Sequence, residues 1–116
     1  MAKLYYRYSA MNSGKTTALI QAAYNYEERG MNPVILKPST DTKGEDAIVS
    51  RIGVERPVDI LIRPSDRPSE EIGRFIGSSA LHCVLVDEAQ FLEPKQVDDL
   101  FWFAVDTDVP VMAYGL

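Results

Sequence analysis

Residues Ser9–Thr16 read S-A-M-N-S-G-K-T. A loop that holds a nucleotide's phosphates needs small residues that let backbone N–H groups approach the anion. It also needs a helix N-terminus aimed at the phosphates and a lysine to supply mobile charge. The hydroxyl after the lysine then takes Mg²⁺. The corresponding pattern is G-x-x-x-x-G-K-[ST], and Gly14, Lys15 and Thr16 stand in register with it. Only the opening glycine differs: Ser9 replaces it, which is tolerable where the backbone keeps a negative φ. Alone, the string serves equally well as a chance G-K-T at the start of an ordinary helix. A second candidate lies far along the chain, where C-V-L-V-D-E closes an apolar run with Asp87 and Glu88. A carboxylate at a strand end suits the Mg²⁺ shell, and a second one beside it can take a proton from an attacking water or hydroxyl. Alone, this pair also reads as a loop start that caps the next helix.

Whether the two spots meet depends on the elements around them. Lys3–Ser9 is aromatic and largely apolar, as a buried strand is, and a helix is expected from about Thr16 to a stop at Gly30. Asn32–Pro38 reads as a second strand. The polar, turn-rich stretch Ser39–Pro57 reads as loop, and Val58–Pro64 as a third strand, suited to a sheet edge. Ser69–Ala80 opens with serine and acids, as a capped helix does, and is weakened by Gly73 and Gly77. His82–Glu88 is the clearest buried strand. Glu93–Asp106 has proline in its first turn and Val97, Leu100, Phe101 and Ala104 at helical spacing, and Asp108–Leu116 is a last strand. Strands thus alternate with helices. The near-continuous apolar runs predict an α/β domain over 1–116, its sheet mainly parallel with helices on both faces. Ligands of such sheets gather beyond the carboxyl ends of the strands, where Ser9 and Asp87 both fall. Together the motifs specify Mg²⁺-dependent chemistry on a nucleoside triphosphate, with either water or an alcohol as acceptor.

The 116 residues carry a formal net charge of −5 with 25% charged and 46% hydrophobic residues, ordinary for a soluble protein. That balance argues against a nucleic-acid partner, which calls for a basic surface. No apolar run reaches the length of a membrane span and no leader pattern opens the chain, so the expectation is a cytoplasmic protein. The single cysteine, Cys83, sits in an apolar run and reads as a small buried hydrophobe. His82 has no second His or Cys at metal spacing and reads as a boundary residue. Phe101, Trp102 and Phe103 are consecutive on a helix and cannot all face one core, so at least one meets solvent or another subunit.

The longer string V-D-E-A-Q-F (Val86–Phe91), with M-N-S-G-K-T-T-A-L-I before it and Y-G-L after it, resembles the type II thymidine kinases. This cellular and bacterial family has a RecA-like phosphate-loop domain, and some bacterial members also open the lysine turn with serine. The resemblance implies ATP-dependent phosphorylation of the thymidine 5′-hydroxyl, with ATP and Mg²⁺ bound. Ser9, Met11, Asn12, Ser13, Gly14, Lys15, Thr16 and Thr17 would form the ATP site together with Asp87 and Gln90. Thr16, Asp87 and Asp41 would serve the metal, and Glu88 would be the catalytic base. Met11, Phe91 and Leu116 would line the thymidine pocket, with Phe91 packed on the thymine ring. Without the resemblance, Phe91 reads as a core residue and Asp41 as a solvated turn residue. Lys43 stands where the family has arginine, keeping the charge without the planar fork, and Arg51 in S-R-I-G is a candidate substitute. In the family, Y-G-L continues into a lasso loop that closes on the base and a cysteine-bearing segment that holds structural Zn²⁺. The sequence stops at Leu116, so phosphate chemistry with impaired turnover is expected of these residues, and Zn²⁺ only of that further segment. The family also implies a homo-oligomer, commonly a tetramer. The alternatives are a RecA-like ATPase acting on nucleic acid and a non-catalytic fragment.

Overall fold

In the computed structural model, which describes residues 2–8, 15–39, 47–49 and 55–115, the longer apolar runs become the strands of one sheet. The order along the chain is β1 (Leu4–Tyr8), α1 (Lys15–Glu28), β2 (Pro33–Pro38), β3 (Ala47–Val49), β4 (Glu55–Pro57), β5 (Ile60–Ile62), α2 (Pro68–Ile76), β6 (Cys83–Val86), a short 3₁₀ helix (Ala89–Phe91), α3 (Pro94–Thr107) and β7 (Val111–Gly115). Five strands form a sheet ordered β1-β7-β6-β2-β5, and every pairing in it is parallel. β5 lies on the edge, as its sequence suggests.

Burial follows the two-residue period of a strand. Val34, Leu36, Val84, Val86, Val111 and Ala113 pack with Ile72 of α2 and with Leu100 and Ala104 of α3. The alternate residues Ile35, Cys83, Leu85 and Tyr114 pack with Leu19, Ile20 and Ala23 of α1. Helices therefore cover both faces, which is why β2 and β6 need unbroken apolar runs. Chain direction explains the division. From β1 the chain crosses the sheet one way to β2, and from β5 it returns through β6 to β7. Right-handed crossovers in opposite directions must use opposite faces.

β1, expected as a buried strand, is instead an edge of the sheet with Tyr5 and Tyr6 exposed, and two further expectations need correction. Ser39–Pro57 is not wholly loop: β3 and β4 pair antiparallel with Ala47 opposite Pro57. Each strand has only 3 residues, too few to set up an apolar alternation. The hairpin is anchored instead by Arg56, whose guanidinium gives a bidentate pair to Glu27 of α1 at 2.8 and 2.6 Å and lies over the Tyr24 ring at 5.2 Å. The second correction concerns α2. Its N-cap is Arg67, which makes no side-chain capping bond, and Ser69 lies inside the first turn. The capping oxygens come from α3: Asp99 accepts from the Ser69 backbone N–H at 2.7 Å and from Ser69 Oγ at 2.9 Å. The helix also stops at Ile76 rather than Ala80, because Gly77 turns the backbone to φ 56°. Among the described residues, no helix is long and apolar enough to cross a membrane.

Candidate active site

The parallel registers bring the two chemical spots to one edge. Tyr8, the last residue of β1, is level with Gly115 of β7, and Val86, the last of β6, with Ala113. Because α1 links β1 to the parallel β2, it must start where β1 ends, so Lys15 opens α1 at the edge where Asp87 leaves β6. Only β7 separates β1 from β6. Two strand spacings put β1 and β6 roughly 10 Å apart, a span that a triphosphate with its metal can fill. Thr17 lies in the first turn of α1 and is exposed. Ser9, Met11, Asn12, Ser13, Gly14, Asp41 and Leu116 lie outside the described residues, as do the side chains of Lys15 and Thr16, and Lys43 and Arg51.

The acidic loop is built in detail. Asp87 is only 3% exposed, and its backbone N–H donates to Leu36 O of β2 at 2.9 Å, which extends the β2–β6 pairing to the carboxylate. Glu88 then adopts the left-handed conformation, φ 53° and ψ 41°. A non-glycine residue held there stores about 1–3 kcal/mol of strain, a cost that clusters at functional sites. The turn reverses the chain into the 3₁₀ helix, with Phe91 N–H donating to Glu88 O at 3.1 Å. Gln90 Nε2 donates to Glu88 Oε2 at 2.7 Å. Phe91 projects outward and is 57% exposed, so it is not the core residue that its type alone suggests. The loop thus gathers a buried carboxylate, a partly buried one fixed by an amide, and an open aromatic ring.

Mg²⁺ suits this edge. It takes one or two protein carboxylates and fills the rest of its octahedron with phosphate oxygens and water. Asp87 places one buried carboxylate at this edge; among the described residues there is no group of three His, Cys, Asp or Glu that could hold a metal ion. Cys83 faces α1 with no exposure, and burial pushes its thiol up to about 11, so it offers neither a nucleophile nor a metal ligand. His82 lies at the opposite edge, where its Nδ1 accepts from Asn32 N–H at 2.9 Å, a boundary role as expected. Two residues of the edge carry no signal in their own types. A Cβ on Gly115 would lie 2.3 Å from the Tyr6 hydroxyl and 2.8 Å from Gln90 Oε1. Tyr6 reads in sequence as one strand aromatic among several, and only the Y-G-L string points to Gly115.

Fold and edge together define an α/β domain of the phosphate-loop type. A family model described as thymidine kinase matches residues 2–116, and the chain belongs to that family. Relatives named thymidine kinase align over all of the chain. That of Rhodopirellula baltica is 50% identical with 55% of its length covered. That of Mannheimia succiniciproducens is 45% identical with 60% covered, and that of Escherichia coli strain K12 is 45% identical with 57% covered. The chain therefore spans somewhat over half the length of the curated relatives it matches.

Proposed function

We propose that the protein transfers the γ-phosphoryl group of ATP to the 5′-hydroxyl of thymidine. The observation that carries the reading is the common edge of the sheet: α1 opens with Lys15 where β6 delivers Asp87 and Glu88. Ser9 to Thr17 would hold the phosphates, with Lys15 supplying charge, and Met11 would reach towards the nucleoside. Thr16 and Asp87, with Asp41, would hold Mg²⁺, which when bound neutralises charge on the β- and γ-phosphates. Glu88 takes the proton of the 5′-hydroxyl as that oxygen bonds to phosphorus and the bond to the β–γ bridging oxygen breaks, releasing ADP. Phe91 offers its exposed ring to the thymine, and Leu116 would line the same pocket. The family membership and the names of the relatives support thymidine as acceptor. The net charge of −5 speaks against DNA as the partner.

These residues cover 55–60% of the relatives aligned above, so the reading assigns them the phosphate, metal and base roles and not the enclosure of the thymine. A polypeptide of these residues alone is expected to bind ATP·Mg²⁺ weakly and to turn over slowly. The test pairs calorimetric titration of ATP·Mg²⁺ with radiolabelled transfer to thymidine, for the wild type and for Glu88→Gln. The variant should bind ATP·Mg²⁺ unchanged and lose transfer by about 10²–10⁴-fold, the usual worth of a general base. Undiminished transfer would remove Glu88 from the mechanism. ATP hydrolysis that responds to DNA and ignores thymidine would replace the whole reading with a nucleic-acid ATPase.

A further inference from the structure

We infer that Gln90 is the positioning residue of Glu88, and that Tyr6 and Gly115 form the seat that keeps Gln90 in place; the inference rests on the reading of Glu88 as the base. A glutamate side chain has several freely turning bonds, and a base whose carboxylate swings spends little time aimed at its proton. The amide of Gln90 removes that freedom by donating to Glu88 Oε2 at 2.7 Å. The two residues stand either side of Ala89, one in the left-handed turn and one in the 3₁₀ helix that follows, so turn and amide act as one unit.

Gln90 must itself be held, and the end of β7 does this. A side chain on Gly115 would put Cβ 2.8 Å from Gln90 Oε1 and 3.1 Å from Gln90 N. The same Cβ would lie 2.3 Å from the Tyr6 hydroxyl. Gly115 is not among the residues with positive φ, so its backbone does not require glycine. What requires glycine is the room taken by Gln90 and Tyr6. Tyr6 belongs to β1, the strand that leads into the lysine turn. The seat therefore ties the base loop to the strand that carries the phosphate-binding side of the site, and fixes the distance between the two.

The decisive experiment measures thymidine phosphorylation by Gln90→Met, which keeps length and loses the donor, and by Gln90→Glu, which replaces the donor with a repelling carboxylate. Both should lower kcat by about 10- to 100-fold, part of the full worth of a general base, with KM for thymidine within about twofold. The double variant Glu88→Gln/Gln90→Met should be no slower than Glu88→Gln, because residues acting as one unit are not additive. Gly115→Ala should resemble Gln90→Met, and Tyr6→Phe in that background should recover part of kcat by vacating the tightest contact. An unchanged kcat, a full additive loss in the double variant, or a rise in thymidine KM alone would each overturn the inference. If the wild type forms no thymidine monophosphate, the functional reading fails by itself, and the contact is judged by the ¹⁵N side-chain amide of Gln90. That resonance, identified by its loss in Gln90→Met, should move in Glu88→Gln and in Gly115→Ala; a resonance that stays put overturns the contact.

Discussion

Phe91 is the residue whose type misleads most and whose environment says most. A phenylalanine near a strand end is ordinarily core, yet this one is 57% exposed beside the partly buried Glu88. A large apolar side chain open to water contributes little to folding, so its removal should cost less than about 0.5 kcal/mol. Phe91→Ala is thus expected to keep its urea midpoint and its ATP·Mg²⁺ affinity while KM for thymidine rises about tenfold, the worth of one lost ring contact of about 1.5 kcal/mol. Unchanged thymidine KM would return Phe91 to the status of an unassigned surface aromatic. At this scale Asp87 and Glu88 stand out by type at the end of an apolar run, whereas Gln90 and Phe91 enter only through the family string V-D-E-A-Q-F. The sequence does not display the left-handed turn at Glu88, since glutamate is no marker for positive φ. Nor does it display the contact between Tyr6 and Gly115, which only strand pairing creates.

Among the elements, α2 shows how a helix can depend on a residue remote in sequence. Its first turn carries Glu70 and Glu71, which favour the N-terminal end of the dipole, but Arg67 makes no capping bond. Asp99 closes that gap from α3 by accepting from both the backbone and the hydroxyl of Ser69. It also pairs with the exposed Arg67 at 3.0 Å, a contact that salt would screen. Gln96, one turn earlier and 2% exposed, donates to Arg63 O at 2.8 Å and Asp66 O at 2.9 Å, holding the segment that leads into α2. Replacing a capping acid by alanine costs about 0.5–2 kcal/mol. Asp99→Ala should therefore lower the urea-unfolding free energy by about that amount and speed amide exchange in α2, with ATP·Mg²⁺ affinity unchanged. Asn at the same position should recover part of the loss, since its carbonyl can still accept. No stability change in Asp99→Ala would mean that α2 is held by Ile72 packing alone. Helical spacing points to α3 and the opening serine and acids to α2, but a cap supplied across a helix–helix contact has no local pattern. The β3–β4 hairpin escapes for the same reason, resting on Arg56 against Glu27 and Tyr24 of α1.

For the molecule as a whole, the parallel sheet is legible because the central runs of β2 and β6 are buried on two faces and the helices cover alternate residues of each. The same enclosure makes stability depend on alkaline pH. Cys83, Tyr26 and Tyr114 meet between α1 and the sheet, and each is raised by burial. The thiol moves from 9.0 to about 11. Below pH 9.0 folded and unfolded chains both hold the proton, and the burial contribution is complete. Between there and about pH 11 the unfolded chain releases its proton while the folded chain keeps it, so stability falls as pH rises. Each pH unit of that gap is worth about 1.4 kcal/mol, so about 3 kcal/mol is lost by the top of the window. Tyr26, raised from 10.0 to about 12, adds to the decline with a smaller share because it is only partly buried. Urea unfolding under reducing conditions from pH 8 to 11 should show a steep fall for the wild type and a shallower one for Cys83→Ala, whatever the baseline cost of losing the sulfur. Parallel curves for the two proteins would show that the thiol does not govern the transition and would shift the burden to the tyrosines, which the variants Tyr26→Phe and Tyr114→Phe would then test on the same face of the sheet.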